Sequence, residues 1–189
     1  QDRAVRGGDW HSRLANTPFE LAGRTLLVIG FGRSGQELAR RAVAFGMRVL
    51  AAGRTLDAAA LAMHGAEPVA DWRAALAKAD VVSLHIPRPV GETPLIGAGE
   101  LAQMKPGALL VNCARGGIVD EAALATALRG GHIGGAGLDV LADEPPRADN
   151  PLLGLDNVIL SPHVAGNTGV AARRMAVATA ENVLAAFDG

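Results

Sequence analysis

Cysteine, surplus charge and long apolar runs are all scarce in this 189-residue sequence. The single cysteine, Cys113, excludes an internal disulfide and is typical of a reducing compartment. The formal net charge of −1 gives no general attraction to nucleic acid or to an anionic membrane. No uninterrupted apolar stretch approaches the ~20 residues that span a bilayer. We therefore expect a cytoplasmic protein that binds neither nucleic acid nor membrane, and we expect no metal site.

Glycine and apolar residues, in contrast, are plentiful: there are 24 glycines, and hydrophobic residues make up 49% of the chain against 20% charged. This composition is typical of a globular protein, and the length is sufficient to bury a substantial core. The chain begins at Gln1 rather than methionine, with a polar start that lacks the apolar region of a signal peptide. We expect part of a longer protein, with residues 1–22 as an arm or linker and residues 23–189 as one domain.

The most informative stretch is the glycine pattern that follows the first apolar run, residues 26–29. Gly30, Gly32 and Gly35 match the G-x-G-x-x-G pattern of dinucleotide-binding sites, between a predicted strand and a predicted helix. In that pattern the first glycine permits a sharp turn and the second lets the backbone approach a pyrophosphate. The third lets the helix pack closely on the strand. The free N–H groups and the dipole at the start of the helix would then face the anion.

A glycine motif alone, in a chain so rich in glycine, is also compatible with an ordinary turn. Two further features favour the dinucleotide site. Leu38, Ala42 and Phe45 recur at helical spacing and predict one apolar face, and a second apolar strand, residues 48–52, follows the helix. The strand–turn–helix context that the pattern requires is therefore present.

Predicted strands alternate with predicted helices along the chain, and most of the strands are continuous apolar runs. Such runs are typical of strands that are buried on both faces. We therefore predict an α/β fold, a Rossmann-like doubly wound parallel sheet with helices on both faces. Ligands of such sheets bind beyond the carboxyl ends of the strands. The loops that follow the strands should converge on one rim that carries the site.

Three residues of these loops could perform chemistry together: Arg115, Glu144 and His163. A carboxylate beside an imidazole fixes its tautomer and makes the imidazolium a usable acid near neutral pH. The planar fork of an arginine suits a substrate carboxylate and a carbonyl oxygen. Hydride transfer to a 2-oxo acid beside a dinucleotide requires these three kinds of group. The alternative, from spacing alone, is a capping histidine with a solvated glutamate and arginine on surface loops.

Longer motifs in the chain resemble those of the D-isomer-specific 2-hydroxyacid dehydrogenases. The resemblance is carried, in chain order, by GFGRSG (30–35), AFGMRV (44–49), ADVVSLHIP (79–87), MKPGA (104–108), VNCARG (111–116), VDEAAL (119–124), GLDV (137–140), DEP (143–145) and SPHVAG (161–166). Order and spacing agree from about residue 8 to the end. The resemblance implies the cofactor domain of an oxidoreductase that uses NAD(H) or NADP(H).

The resemblance also implies a role for each matching residue. Arg115 would bind the substrate carboxylate and carbonyl. His163 would be the acid in reduction and the base in oxidation, with Glu144 as its partner, and Asp139 would accept a hydrogen bond from the nicotinamide carboxamide. The other implied cofactor contacts are Arg33 and Ser34 at the pyrophosphate, Ile86 and Pro87 on the adenosine side, the backbone of Cys113 and Ala114 near the nicotinamide, and Gly166, together with Arg115 and His163. Cys113 is expected to be a small residue beside the cofactor rather than a nucleophile.

One position departs from the pattern of enzymes that use NAD. That pattern has an acidic residue about 20 positions after the glycines, which binds the ribose 2′-OH. Here the position is Gly53, and Arg54 and Thr55 follow it. The loss of a carboxylate removes repulsion against a 2′-phosphate, and a guanidinium supplies a partner for it. We therefore expect these residues to contact the cofactor and NADP(H) to be used at least as well as NAD(H); alternatively, Arg54 is a solvated loop residue that stacks on adenine.

The resemblance further implies an N-terminal substrate domain of ~100 residues, which this chain does not contain. We expect the chain to bind cofactor and to turn over poorly, because proximity and water exclusion need both walls of a cleft. The missing domain would largely choose the substrate, a small 2-oxo or 2-hydroxy acid. The competing interpretation is a non-enzymatic dinucleotide sensor, similar to corepressor-like relatives. Relatives associate through this domain, so the resemblance also implies a homodimer.

Overall fold

The computed structural model describes residues 2–11, 19–88, 91 and 93–188. Within these residues the strands are β1 (Thr25–Ile29), β2 (Arg48–Ala52), β3 (Ala66–Pro68), β4 (Val81–Leu84), β5 (Ala108–Asn112), β6 (Ile133–Leu138) and β7 (Val158–Leu160). They form a seven-stranded sheet in the order β3-β2-β1-β4-β5-β6-β7, and every pair of neighbours is parallel. The predicted Rossmann-like parallel sheet is confirmed.

The helices differ in how their first turns are capped. They are α1 (Asp2–Arg6), α2 (Arg33–Ala44), α3 (Ala58–Met63), α4 (Trp72–Leu76), α5 (Ala98–Gln103), α6 (Glu121–Arg129) and α7 (Gly169–Asp188). The side chains of Asp57, Asp71 and Asp120 accept hydrogen bonds from the first turns of α3, α4 and α6. The N-cap residue of α2, Gly32, makes no side-chain hydrogen bond to the first turn. The first N–H groups of α2 and the positive end of its dipole are therefore left for another partner.

Alternate residues of β1 pack on opposite faces of the sheet. Leu27 and Ile29 join one apolar cluster, which α4, α5 and α6 cover, and Leu26 and Val28 join the other, which α2 and α3 cover. Each of these four side chains is 4% exposed or less. Because both faces are buried, each position of the strand must be apolar, and this explains the continuous apolar runs.

The predicted apolar face of the first helix needs one correction. α2 buries Gly35, Ala39 and Ala42, but Phe45 is 64% exposed. The helix ends at Ala44, and the chain then turns through Gly46, whose φ is 75°. Phe45 therefore no longer follows the helical period, and its side chain points away from the core.

The N-terminal arm contains the short helix α1, and residues 12–18 of the arm lie outside the described residues. The backbone N–H of Gly23 donates to the carbonyl of Gly46 at 2.9 Å, so the chain is tied to the sheet from about this point. The division into an arm, residues 1–22, and a domain, residues 23–189, remains a prediction.

The last helix, α7, leaves its apolar side chains in solvent. Leu184 is 63% exposed and Phe187 is 84% exposed, so no described element covers this face. Among the described residues, no helix has both the length and the apolar content needed to cross a membrane.

The two-sided core predicts a large difference between two leucines. Leu27→Ala should lower the free energy of unfolding by about 2–5 kcal/mol, because Leu27 is 0% exposed and its removal leaves a cavity. Leu184→Ala, on the exposed face of α7, should change it by less than about 0.5 kcal/mol. Chemical denaturation of both variants measures the difference, and equal effects would contradict the described core.

Candidate active site and cofactor site

The loops after β1, β4, β5, β6 and β7 lie at one edge of the sheet, here called the rim. Adjacent loops are in direct backbone contact there. A Cβ added to Gly30 would lie 2.3 Å from the carbonyl oxygen of His85, and one added to Gly116 would lie 1.8 Å from that of Leu141. Because all strands are parallel, their carboxyl ends lie at the same edge of the sheet, and the loops that follow them are brought together there.

Residues 30–35, the glycine corner, are built by close approach of backbone to backbone. Gly30 has a φ of 99°, and its N–H donates to the carbonyl of Ala52 at 2.8 Å. A Cβ at Gly35 would lie 2.3 Å from the carbonyl oxygen of Gly30. No heavy atom of the described residues lies within 4 Å of a Cβ built at Gly32. The first and third glycines are therefore required by the fold, and the second faces open space at the start of α2, where Arg33 and Ser34 are exposed.

A cavity of about 660 Å³ opens beside the glycine corner. Five residues predicted to contact the cofactor line it: Gly30, Gly53, Arg54, Ile86 and Pro87. A volume of this size and a wall of mostly apolar side chains are typical of a site for an organic ligand. Thr55, the remaining residue of the predicted ribose segment, is exposed and is not among the residues that line the cavity.

Sequence reasoning missed part of the cavity wall. Val69 and Trp72 also line the cavity, and the guanidinium of Arg73 lies 4.3 Å from the centre of the Trp72 ring. Their position in the sequence could have indicated this role, because residues 69–72 follow β3 in the same way that the predicted site loops follow their strands.

His163 and Glu144 form a hydrogen-bonded pair on the rim, with 2.8 Å between His163 Nδ1 and Glu144 Oε2. The bond with His163, together with an N–H from Leu141, lowers the pKa of the Glu144 carboxyl. Glu144 therefore stays ionised and acts as an acceptor for Nδ1. The opposite ring nitrogen, Nε2, has no hydrogen-bond partner among the described residues and is available to a ligand.

The buried carboxylate of Asp139 holds the segment that carries His163. Oδ1 accepts from Ser161 Oγ at 2.5 Å and from the N–H of Val164 at 2.9 Å, and Oδ2 accepts from the N–H of Ala165 at 2.8 Å. Burial alone would raise the pKa of Asp139, but the hydrogen bonds from Ser161, Ala165 and Val164 lower it overall. Asp139 is therefore an ionised anchor for this loop, a role that sequence reasoning did not assign.

The backbone of His163 is in the left-handed region, with a φ of 54°. Positive φ is uncommon for a residue other than glycine and persists where the surroundings enforce it. The N–H of His163 donates to the carbonyl of Asp139 at 2.8 Å, and this bond fixes the conformation. Asp139 thus holds His163 through its backbone as well as through its side chain. One lone pair of Oδ2 remains for a further donor, so the predicted bond to a carboxamide stays a prediction.

The loop that carries Arg115 is shaped by a buried amide. Asn112, which is 2% exposed, donates to the carbonyl of Arg115 at 2.9 Å and accepts from the N–H of Ala114 at 3.0 Å. The Arg115 side chain is exposed, and its Nη1 donates to the carbonyl of Ala114 at 2.6 Å. The contact between Gly116 and Leu141 lays this loop against the one that carries Glu144.

Two of the predicted cofactor contacts have an unremarkable local structure. Cys113 is exposed just after β5, and partial desolvation of its sulfur, together with the charge of Asp139, raises the pKa of the thiol. A protonated thiol fits the predicted role of a small residue rather than a nucleophile. Gly166 is exposed, and apart from its chain neighbours no heavy atom of the described residues lies within 4 Å of a Cβ built there. Nothing in the described residues therefore requires glycine at position 166.

The fold and the rim together define a class: an α/β domain that binds a dinucleotide. Comparison with known proteins narrows this class. Residues 1–165 match the family model of the D-isomer specific 2-hydroxyacid dehydrogenase, NAD binding domain. The chain belongs to this family, and a nicotinamide dinucleotide is the cofactor that its domain takes.

Individual relatives agree with this assignment. The (S)-sulfolactate dehydrogenase of Chromohalobacter salexigens is 45% identical over 179 residues, which cover 95% of this chain and 58% of that protein. The D-3-phosphoglycerate dehydrogenase of Archaeoglobus fulgidus is 43% identical over 183 residues, which cover 97% of this chain and 34% of that protein. The crystal structure of D-lactate dehydrogenase from Aquifex aeolicus, complexed with NAD and lactic acid, matches with a TM-score of 0.88 at 31% identity. The match covers 100% of this chain and 60% of the D-lactate dehydrogenase chain. The chain thus spans roughly a third to three fifths of the length of these proteins.

The anchoring role of Asp139 generates a prediction about acid stability. Asp139→Asn should lower the free energy of unfolding by about 1–3 kcal/mol at neutral pH, because one acceptor oxygen becomes a donor that faces N–H groups. The folded-state pKa of Asp139 is lowered, so its contribution is present above the unfolded pKa and is lost as the pH falls through the folded pKa. Denaturant titrations from neutral pH to below about pH 4 measure both effects.

The exposed Asp143, on the loop after β6, provides the matched control. Asp143→Asn should change the free energy of unfolding by less than about 0.5 kcal/mol at any of these pH values. The anchoring role is wrong if wild type and Asp139→Asn lose stability in acid to the same extent.

Proposed function

We propose that this chain is the cofactor half of an NAD(P)-dependent D-2-hydroxyacid dehydrogenase, which transfers a hydride between the nicotinamide and a 2-oxo acid. The observation that carries the proposal is the 2.8 Å hydrogen bond between His163 and Glu144 on the rim. The open position at Gly32 and the uncapped start of α2 fit a dinucleotide diphosphate. When bound, the nicotinamide supplies or accepts the hydride.

The side chains of the rim supply the proton and the substrate contacts. Glu144 accepts from Nδ1 of His163 and stabilises the imidazolium, so that Nε2 can donate a proton to the carbonyl oxygen during reduction. In oxidation the neutral ring takes the proton from the hydroxyl group. Arg115, with its fixed charge and planar fork, would hold the substrate carboxylate and polarise the carbonyl.

The competing interpretation is a non-enzymatic dinucleotide sensor. A sensor needs the glycine corner and the cavity, but it has no use for a histidine held by a carboxylate at the same rim. The Glu144–His163 pair and the buried Asp139 that anchors it therefore support the enzyme.

The test uses the full-length protein that contains this chain, with NADH or NADPH and a panel of 2-oxo acids. We expect turnover of at least one acid, and His163→Ala should lower kcat by about 10²–10⁴-fold, because the proton donor is lost. His132→Gln is the control, since His132 precedes β6 at the opposite end of the sheet and bonds to the carbonyl of Leu101. Binding of the cofactor without turnover of any acid would favour the sensor.

Within the cofactor site we propose that NADP(H) is used at least as well as NAD(H). Gly53 leaves the ribose segment without a carboxylate, and Arg54 lines the cavity. A Cβ at Gly53 would lie 3.1 Å from Cδ2 of Leu56, so a larger residue there would require only a small shift of the Leu56 side chain. The missing carboxylate and the position of Arg54 in the cavity wall support a site that accepts a 2′-phosphate.

The cofactor preference has its own experiment, since binding can be titrated without turnover. Arg54→Asp should raise the Kd for NADPH by about tenfold or more, because a charge-assisted hydrogen bond is replaced by repulsion. The Kd for NADH should stay the same or fall. Arg173→Asp, on the exposed α7, should leave both values unchanged. A wild type that strongly prefers NADH, with a preference that Arg54→Asp does not alter, would contradict the proposal.

The remaining expectations concern the longer protein. We propose that residues 1–22 link this domain to a substrate domain, which supplies the second wall of the cleft and selects the acid. The chain alone should then bind cofactor but turn over poorly. A homodimer and a cytoplasmic location also remain predictions.

A further inference from the structure

A histidine outside the proposed catalytic pair links the interior of the sheet to the glycine corner. His85 follows β4, and its Nε2 lies 3.0 Å from Oγ of Ser83. Its Nδ1 lies 3.0 Å from Oγ of Ser34, in the first turn of α2. Ser83 is 4% exposed, whereas Ser34 is exposed at the open end of the helix. The three side chains form a relay, Ser83–His85–Ser34, that runs from the core to the predicted diphosphate site.

The backbone fixes the position of this relay. The N–H of His85 donates to the carbonyl of Ile29 at 2.7 Å. The carbonyl of His85 lies directly against Gly30, where an added Cβ would be 2.3 Å away. The backbone of His85 is thus attached to the same turn that sets the start of α2, and the hydrogen bonds to Ser83 and Ser34 hold its ring.

The protonation state of the ring limits how the relay can be arranged. Burial lowers the pKa of His85, so the ring is neutral at neutral pH and has one N–H donor and one acceptor nitrogen. If Nδ1 carries the proton, it donates to Ser34 Oγ, and the hydroxyl hydrogen of Ser34 is free to point outward. If Nε2 carries the proton, Ser34 must donate to Nδ1, and only its lone pairs face outward.

The buried serine decides between the two arrangements. Among the described residues, Ser83 Oγ has His85 Nε2 as its hydrogen-bond partner and no other. A buried hydroxyl donor without an acceptor is unfavourable, so Ser83 donates to Nε2. The ring proton is then on Nδ1, and Ser34 accepts it.

We propose that Ser83 and His85 are positioning residues that orient the hydroxyl of Ser34 as a hydrogen-bond donor to the diphosphate of the bound dinucleotide. A donor aimed at an anion stabilises the complex, whereas outward lone pairs would repel it. The inference rests on the dinucleotide-binding part of the proposed function. It does not depend on hydride transfer or on the choice between NADH and NADPH.

The first test is a double-mutant cycle on NADH binding by this chain, measured by fluorescence titration. Ser34→Ala and His85→Leu should each raise the Kd about tenfold to a hundredfold, which corresponds to loss of one hydrogen bond to a charged group. The double variant should be no weaker than either single variant, because His85 acts only through Ser34. His85→Asn places an amide N–H near the position of Nδ1 and should restore most of the affinity.

The second test reads the tautomer directly. Long-range proton–nitrogen correlation spectra identify the ring nitrogen of His85 that carries the proton, with His85→Asn used to assign the signal. We expect the proton on Nδ1, both before and after NADH is added, and a shift toward Nε2 in Ser83→Ala. Thermal melting of each variant verifies that it is folded.

The outcomes separate this inference from the proposed function. NADH binding with additive effects in the cycle, or with the proton on Nε2 in the complex, would overturn the relay and leave the dinucleotide site intact. A folded wild type that binds neither NADH nor NADPH would overturn both.

Discussion

The close contact between Gly30 and the carbonyl of His85 is the constraint on which the cofactor half of the site depends. A side chain at position 30 would lie 2.3 Å from that oxygen, so only glycine lets the end of β1 pass so close to the end of β4. The turn places the start of α2, with its uncapped N–H groups, at the rim. It also places His85 next to that start, where its ring bonds to Ser34. The cavity, the start of α2 and the relay therefore all depend on the backbone conformation at Gly30. A larger residue at this position would disrupt all three.

The other half of the site depends on buried polar groups. Asp139 and Asn112 are 3% and 2% exposed, and they stand at the ends of the neighbouring strands β6 and β5. Asp139 bonds mainly to backbone N–H groups of the loop after β7, and Asn112 bonds to backbone groups of the loop after β5. Because an unpaired buried polar group is costly, each commits its loop to one conformation. Exposed side chains such as His163 can then be held in place without being buried themselves.

Local patterns in the sequence predicted the parallel sheet and the glycine corner, because each depends on spacing or on the ends of strands. The pairing of Glu144 with His163 was implied by the family resemblance, since spacing alone also allowed a capping histidine and a solvated glutamate. Longer-range contacts could not be predicted in this way. The bond from His85 to Ser34 joins residues 51 positions apart, and the anchoring of the His163 loop by Asp139 depends on how β6 and β7 end. Helical spacing likewise shows which residues share a face, but not where the helix stops, and for this reason the prediction for Phe45 was wrong.

Our central proposal is that a dinucleotide whose diphosphate rests on the glycine corner presents its nicotinamide to Arg115, Glu144 and His163. A crystal structure of the chain with NADH tests it most directly. We expect phosphate oxygens at the first turn of α2, adenosine in the cavity lined by Gly53 and Arg54, and the nicotinamide ring facing Nε2 of His163. A diphosphate bound elsewhere, or a nicotinamide ring turned away from these three side chains, would contradict it.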